Sequence, residues 1–92
     1  MNYFLGIDIA KTNHVASLIN NTGDVVIRAI KFTNSIEGFN KLLSTIQDKL
    51  GDLSNIEVAM EATGHYWLSL YSALTDNNFN VSVYNPYQIK SY

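Results

Sequence analysis

Cysteine is absent from these 92 residues, which removes disulfides, zinc–thiolate sites and thiol catalysis together. No apolar stretch approaches the ~20 residues of a membrane span. The N-terminus has none of the basic region, apolar core and small-residue cleavage site of a signal peptide. Met1 leads directly into a strand pattern, the expected native start of a cytoplasmic protein. Basic residues are also scarce and scattered: six Lys and Arg stand against eight Asp and Glu, for a net charge of −2. A stand-alone nucleic-acid binder usually carries a basic face. Either nucleic-acid binding is not the function, or the basic surface lies outside these residues. Repeats, linkers and low-complexity segments are missing as well, and Lys90-Ser91-Tyr92 ends the chain without a polar tail. That ending is expected of a fragment.

What is present is a globular composition, 47% hydrophobic and 15% charged, which argues against wholesale disorder. One core is ordinary for this length and two would be starved of apolar surface. Residues 1–92 are therefore expected to form a single domain, truncated at its C-terminal end.

The pattern predicts three strands, a helix, a strand, a helix and a strand. The first three strands cover about Tyr3 to Ala10, His14 to Ile19 and Val25 to Phe32. Asn20-Asn21-Thr22-Gly23-Asp24 supplies turn chemistry between the second and third, and the short links favour an antiparallel meander. Asn34 is the expected N-cap of the first helix, with Glu37 completing a capping box. Ile36, Phe39, Leu42, Leu43, Ile46 and Leu50 share one helical face, and Gly51 supplies the stop. Ile56 to Met60 reads as a buried strand. Thr63 is the expected cap of a second helix over about Gly64 to Asp76, with Trp67, Leu70, Tyr71 and Leu74 on its apolar face. Val81 to Tyr84 reads as the last strand, broken by Asn85-Pro86. Right-handed crossovers place the fourth and fifth strands parallel to the first. The fold class is α/β: a ribonuclease H-like mixed sheet in the order β-β-β-α-β-α-β, with the helices packed on it.

Asp8 interrupts an otherwise apolar first strand, sharing a face with Phe4 and Gly6. An ionised carboxylate in a core costs several kcal/mol, roughly, unless paired or bound to a metal. The plain alternative is a structural Asp accepting backbone hydrogen bonds at a strand end, but Gly6 beside it suggests room for a ligand. Glu61 ends the apolar run Ile56-Glu57-Val58-Ala59-Met60, and in this topology it can approach Asp8. Acids at strand ends are usually just solvated, and the helix opening after Glu61 could stabilise it as a purely structural acid.

Together, the two carboxylates suggest a divalent-metal site. His14 and His65 are the only histidines, each expected as hydrogen-bonded scaffolding, with His65 nearer the predicted site edge. Tyr66 and Trp67 are expected to pack the helix start onto the sheet. Lys11 is expected as an exposed strand-end cation, within possible reach of a phosphate near Asp8. Two-metal sites usually need three or four acidic ligands. After Glu61 the only acid is Asp76, at the predicted end of the second helix, so the ligand set is incomplete.

Three segments carry a family resemblance: Gly6-Ile7-Asp8-Ile9-Ala10-Lys11, Met60-Glu61-Ala62-Thr63-Gly64-His65-Tyr66-Trp67, and Asn85-Pro86-Tyr87-Gln88-Ile89-Lys90. In this order and spacing the chain resembles the N-terminal RuvC-like DEDD domain of the IS one-ten family of bacterial insertion-sequence transposases. The resemblance implies that Asp8 and Glu61 are the first D and the E of a catalytic tetrad binding Mg²⁺, with Mn²⁺ as a substitute. It places the other two Asp, and a serine nucleophile in a further domain, beyond this chain. It implies DNA and a guide (bridge) RNA as partners of the full-length protein, a homo-oligomer, no membrane, and a cytoplasmic, nucleoid-associated location in bacteria. The parent is then a DNA recombinase, and this chain alone should not cleave strands.

Two other classes stay open. Actin-like and sugar-kinase-type ATPases begin with a similar strand, Asp and hairpin, but Ala10 and Lys11 make a poor phosphate loop, and those proteins use two such domains. A non-catalytic dimerisation module would instead use an exposed sheet edge.

Overall fold

The alternation of Tyr3–Asp8 decides how the first strand lies: Leu5 and Ile7 are buried, while Phe4, Gly6 and Asp8 are exposed. The computed structural model describes residues 2–61, 64 and 66–84. Its elements are β1 (Tyr3–Asp8), β2 (Asn13–Asn20), β3 (Val25–Thr33), α1 (Ile36–Leu50), β4 (Ile56–Glu61), α2 (Leu68–Asp76) and β5 (Asn80–Tyr84). They build one five-stranded sheet in the order β3-β2-β1-β4-β5. β1 pairs antiparallel with β2, and β2 with β3; β1–β4 and β4–β5 are parallel. This is the expected ribonuclease H-like α/β arrangement.

The β2–β3 turn forms where the sequence places it. The Asn20 side-chain carbonyl accepts the backbone N–H groups of Thr22 and Asp24, and Gly23 takes φ +88, a left-handed conformation that glycine tolerates. Both helices lie on one face of the sheet. Leu42 and Ile46 of α1 and Leu70 and Leu74 of α2 are buried with Leu5, Ile7, Ala16, Leu18, Ile30, Phe32, Val58 and Met60. The opposite face is uncovered by any described element.

The α1 cap differs from expectation by one residue. Ser35, not Asn34, is the N-cap, its Oγ accepting the Gly38 N–H at 3.0 Å. The third helical position is then Gly38 rather than Glu37, so no capping box forms. Asn34 is used to join segments instead: its N–H donates to the Thr12 carbonyl at 3.0 Å, and its side-chain oxygen accepts from the Ser69 hydroxyl at 3.2 Å. Gly51 stops α1 as expected, with φ +77 and its N–H donating to Gln47 O.

In the following loop, the Ser54 N–H and then its hydroxyl hold the Asp52 carboxyl below the ordinary carboxylate range. That lowered value means the Asp52 contribution is complete above the unfolded value and is lost as pH falls through the folded one.

α2 begins four residues later than the sequence suggests, at Leu68. Gly64 has φ +64, which is incompatible with a right-handed helix, and its carbonyl accepts the Trp67 indole N–H at 3.1 Å. The expected cap Thr63 lies outside the described residues, as do His65 and the Asn85-Pro86 segment.

Gly38 is buried in the first turn of α1, where an added Cβ would overlap the Thr33 backbone carbonyl. A Gly38→Ala exchange is expected to destabilise the chain by about 1–3 kcal/mol, although alanine favours an unstrained helix by ~1 kcal/mol. Urea unfolding checks this; a stabilised variant would show that the contact relaxes freely.

Candidate metal centre

Parallel pairing brings the two acids together. β1 and β4 run in register from Tyr3↔Ile56 to Asp8↔Glu61, so the acids end neighbouring strands side by side, with strands ~4.8 Å apart. Beyond them the Ile9 N–H donates to the Glu61 carbonyl at 3.3 Å. Both residues are exposed and both lie on the face away from the helices.

One expectation is corrected here: Asp8 is not inside the core. Only every second residue of β1 is buried, and Asp8 falls on the open side with Gly6 and Phe4. No desolvation penalty therefore has to be met by a partner. The physical tension is instead repulsion between two adjacent carboxylates.

The register extends this row across the sheet. Val15 stands opposite Asp8, Lys31 opposite Val15, and Tyr84 opposite Glu61. Lys31 supplies a cation on the open face and Tyr84 a phenol beside the acids. Sequence reasoning missed both. Neither has a local motif, and their position depends on the registers of β2–β3 and β4–β5. Next to this row, Ser17, Gly6, Ala59 and Ser82 are mutual register partners. They floor a trough of about 380 Å³ bordered by Phe4, Glu57 and Tyr84. Nothing lies within 4 Å of a Cβ added at Gly6, so the trough is open at its centre.

The donor set suits a divalent cation in part. Two carboxylates on adjacent strands match the one or two that a Mg²⁺ ion takes from protein, the rest of its shell being water or phosphate. Among the described residues, no group of three or more His, Cys, Asp or Glu side chains is placed to hold a metal. Two carboxylates are fewer than the three or four acidic ligands that a two-metal site uses.

His14 is fully buried on β2, facing the helices. Its Nδ1 accepts the Ala10 N–H at 3.1 Å, and its ring meets Phe32 edge-on at 5.3 Å. It is scaffolding, as expected, but its Nε2 has no partner among the described residues. Lys11 is exposed. Trp67 is half-buried against the core and packs edge-on against Tyr71 at 5.7 Å, whereas Tyr66 is 39% exposed and packs less than expected.

The family model described as "Transposase", for the DEDD proteins of the IS one-ten group, matches residues 5–92. The chain belongs to that family of transposases, which displaces the ATPase reading. Two pilin gene-inverting proteins are similar: that of Moraxella bovis is 36% identical over 90 residues, and that of Moraxella lacunata 34% identical over 89. Each alignment covers 97% of this chain and 27% of the relative, so the chain spans about a quarter of their length. In fold, the chain resembles Thermus thermophilus RuvC, solved in complex with a Holliday junction substrate. The TM-score is 0.63 at 15% identity, covering 99% of this chain and 69% of RuvC. Among the described residues, no helix is long and apolar enough to cross a membrane.

Like charges directly opposite on neighbouring strands destabilise a sheet. Without divalent metal, Asp8→Asn is therefore expected to raise stability by about 0.2–1 kcal/mol. Chemical unfolding in a chelating buffer reads this, and a loss of stability would mean that the Asp8 carboxylate is needed structurally.

Proposed function

We propose that this domain is the N-terminal catalytic part of a DNA transposase or recombinase, with Asp8 and Glu61 as its first two metal ligands. The observation that carries this reading is the Asp8↔Glu61 register on the open face. Family membership and the pilin gene-inverting relatives support DNA as the substrate of the full-length protein. Mg²⁺, or Mn²⁺ in its place, would neutralise phosphate charge at the scissile bond and activate the attacking group.

The remaining chemistry belongs to the chain. Asp8 and Glu61 hold negative charge at one fixed point, and the backbone bond from Ile9 to Glu61 keeps their strands from sliding. The small residues beside them let a sugar–phosphate backbone approach the sheet, and Lys31 lies along the same row as a phosphate contact.

Two carboxylates fall short of the three or four that a two-metal site uses, so the domain alone is inactive in strand cleavage. In the full-length protein, further acids, a guide RNA, self-association and a nucleoid location complete the reading. Among the described residues β3 and β5 are the edge strands of the sheet, and an unpaired edge offers a pairing surface for a second copy.

A ligand that binds only the folded state stabilises it as its concentration exceeds Kd. Mg²⁺ is expected to raise the melting temperature of the wild-type chain in a saturable way, and to leave Asp8→Asn and Glu61→Gln unmoved. In the full-length protein, either substitution is expected to remove nearly all DNA strand cleavage. Equal Mg²⁺ stabilisation of wild type and both variants would overturn the assignment.

A further inference from the structure

Charge is spread unevenly along the strand axis. At the end away from the acid pair stand Asp24 in the β2–β3 turn, Glu57 on β4, Asp48 near the end of α1, Asp52 in the loop after it and Asp76 at the end of α2. At the acid pair's own end, Glu37 is the one further acid among the described residues. Lys11, Lys31 and Lys41 gather there instead, all on the β2–β3 side. Arg28 lies farther back along β3, and Lys49 is in the last turn of α1. A chain with a net charge of −2 thus holds half its cations beside the two candidate metal ligands.

The fold sets where these lysines stand. Lys11 is exposed in the link between β1 and β2, shortly after Asp8. Lys31 is exposed on the open face, opposite Val15, which is itself opposite Asp8. Two strand spacings of ~4.8 Å put it about 10 Å from the acid. Lys41 reaches out of α1 and donates from Nζ to the Lys31 carbonyl at 2.8 Å, which pins an ammonium at the outer edge of β3. An ammonium has three N–H donors, so two are left for a ligand. Here the edge forms an open recess of about 320 Å³, bordered by Lys31, Lys41, Asn13, Thr33 and Glu37. Glu37 offsets one of the two positive charges and leaves the other in excess. Among the described residues no carboxylate forms an ion pair with any of the three lysines.

We propose that a DNA strand held at Asp8 and Glu61 leaves them along the Val15–Lys31 row and crosses the β3 edge, its phosphates meeting Lys11, Lys31 and Lys41. The distance from Asp8 to Lys31 corresponds to about three nucleotides at ~3.4 Å of rise each. In the other direction the described part of the open face offers no cation, since Asn80, Ser82 and Tyr84 form that side of β5. An acidic peptide would match the lysines alone. The continuity of their row with the acid pair favours the strand on which that pair acts. Naming the ligand as DNA rests on the recombinase reading; the placement of the lysines does not.

The test is binding of a dT octamer to the chain in chelating buffer, followed by NMR and, with a labelled octamer, by fluorescence anisotropy across a salt series. The expected shifts centre on Lys11, Lys31 and Lys41 and spare β5. On a single strand each neutralised phosphate contributes about 0.7 to the slope of log affinity against log salt. Lys11→Gln, Lys31→Gln and Lys41→Gln should each lower that slope by roughly this amount, and Lys49→Gln should leave it unchanged. Lys41→Arg keeps both the charge and a donor to the Lys31 carbonyl, and should bind as wild type does. A U octamer should bind no more tightly than dT, and a glutamate decamer distinctly more weakly.

Shifts confined to β5, or an equal loss of slope in Lys49→Gln, would overturn the proposal. Clearly tighter binding of the U octamer would assign the surface to RNA, and equal binding of the glutamate decamer to an acidic peptide; either result also overturns it. Because no metal is present, such a failure leaves the acid pair untouched. Loss of Mg²⁺ binding would likewise leave the lysine result standing.

Discussion

The parallel ladder between β1 and β4 is the constraint on which the rest of the structure depends. Its register sends Leu5 and Ile7 inward with Val58 and Met60, and Gly6 and Asp8 outward with Ala59 and Glu61. A slip of one residue would invert every side chain on the moving strand. Met60, fully buried now, would face solvent, and Glu61 would face α1 and α2. Core packing and the acid pair are thus specified by the same alternation. The hydrophobic penalty for a slipped core is what holds two mutually repelling carboxylates side by side.

Two faces of one sheet then carry different duties. The helix face is dense, and its one unsatisfied polar atom among the described side chains belongs to His14. The open face carries a row of small residues beside a row bearing Lys31, Asp8, Glu61 and Tyr84. Among the described residues no element covers this second face. His14 links the two sides. It fixes the Ala10 N–H two residues after Asp8, and so restrains the exit of the strand that presents the carboxylate.

Much of this was legible in the sequence because it rests on local physics. Alternation and turn chemistry located all the strands to within a few residues, and Gly51 marked the end of α1. The acid pair was legible because crossover handedness leaves few ways to place β4 against β1. What was not legible depended on tertiary contact. Asn34 looked like a cap from its neighbours, but Thr12 and Ser69 claim it and Ser35 caps instead. The burial of Asp8 was misjudged because an apolar run does not reveal that only one face is covered. Gly64 hid the late start of α2, since a left-handed glycine there is chosen by the Trp67 contact rather than by the local pattern. Lys31 and Tyr84 come to the acids only through registers several strands apart.

The most direct test of the central claim, that Asp8 and Glu61 jointly hold a divalent ion, is a crystal structure of this chain grown with Mn²⁺, using anomalous scattering to locate the metal. The predicted result is a single peak between the two side chains, with an oxygen from each at roughly 2.1–2.2 Å. A peak elsewhere on the surface, or carboxylates turned away from each other with no ion between them, would contradict it.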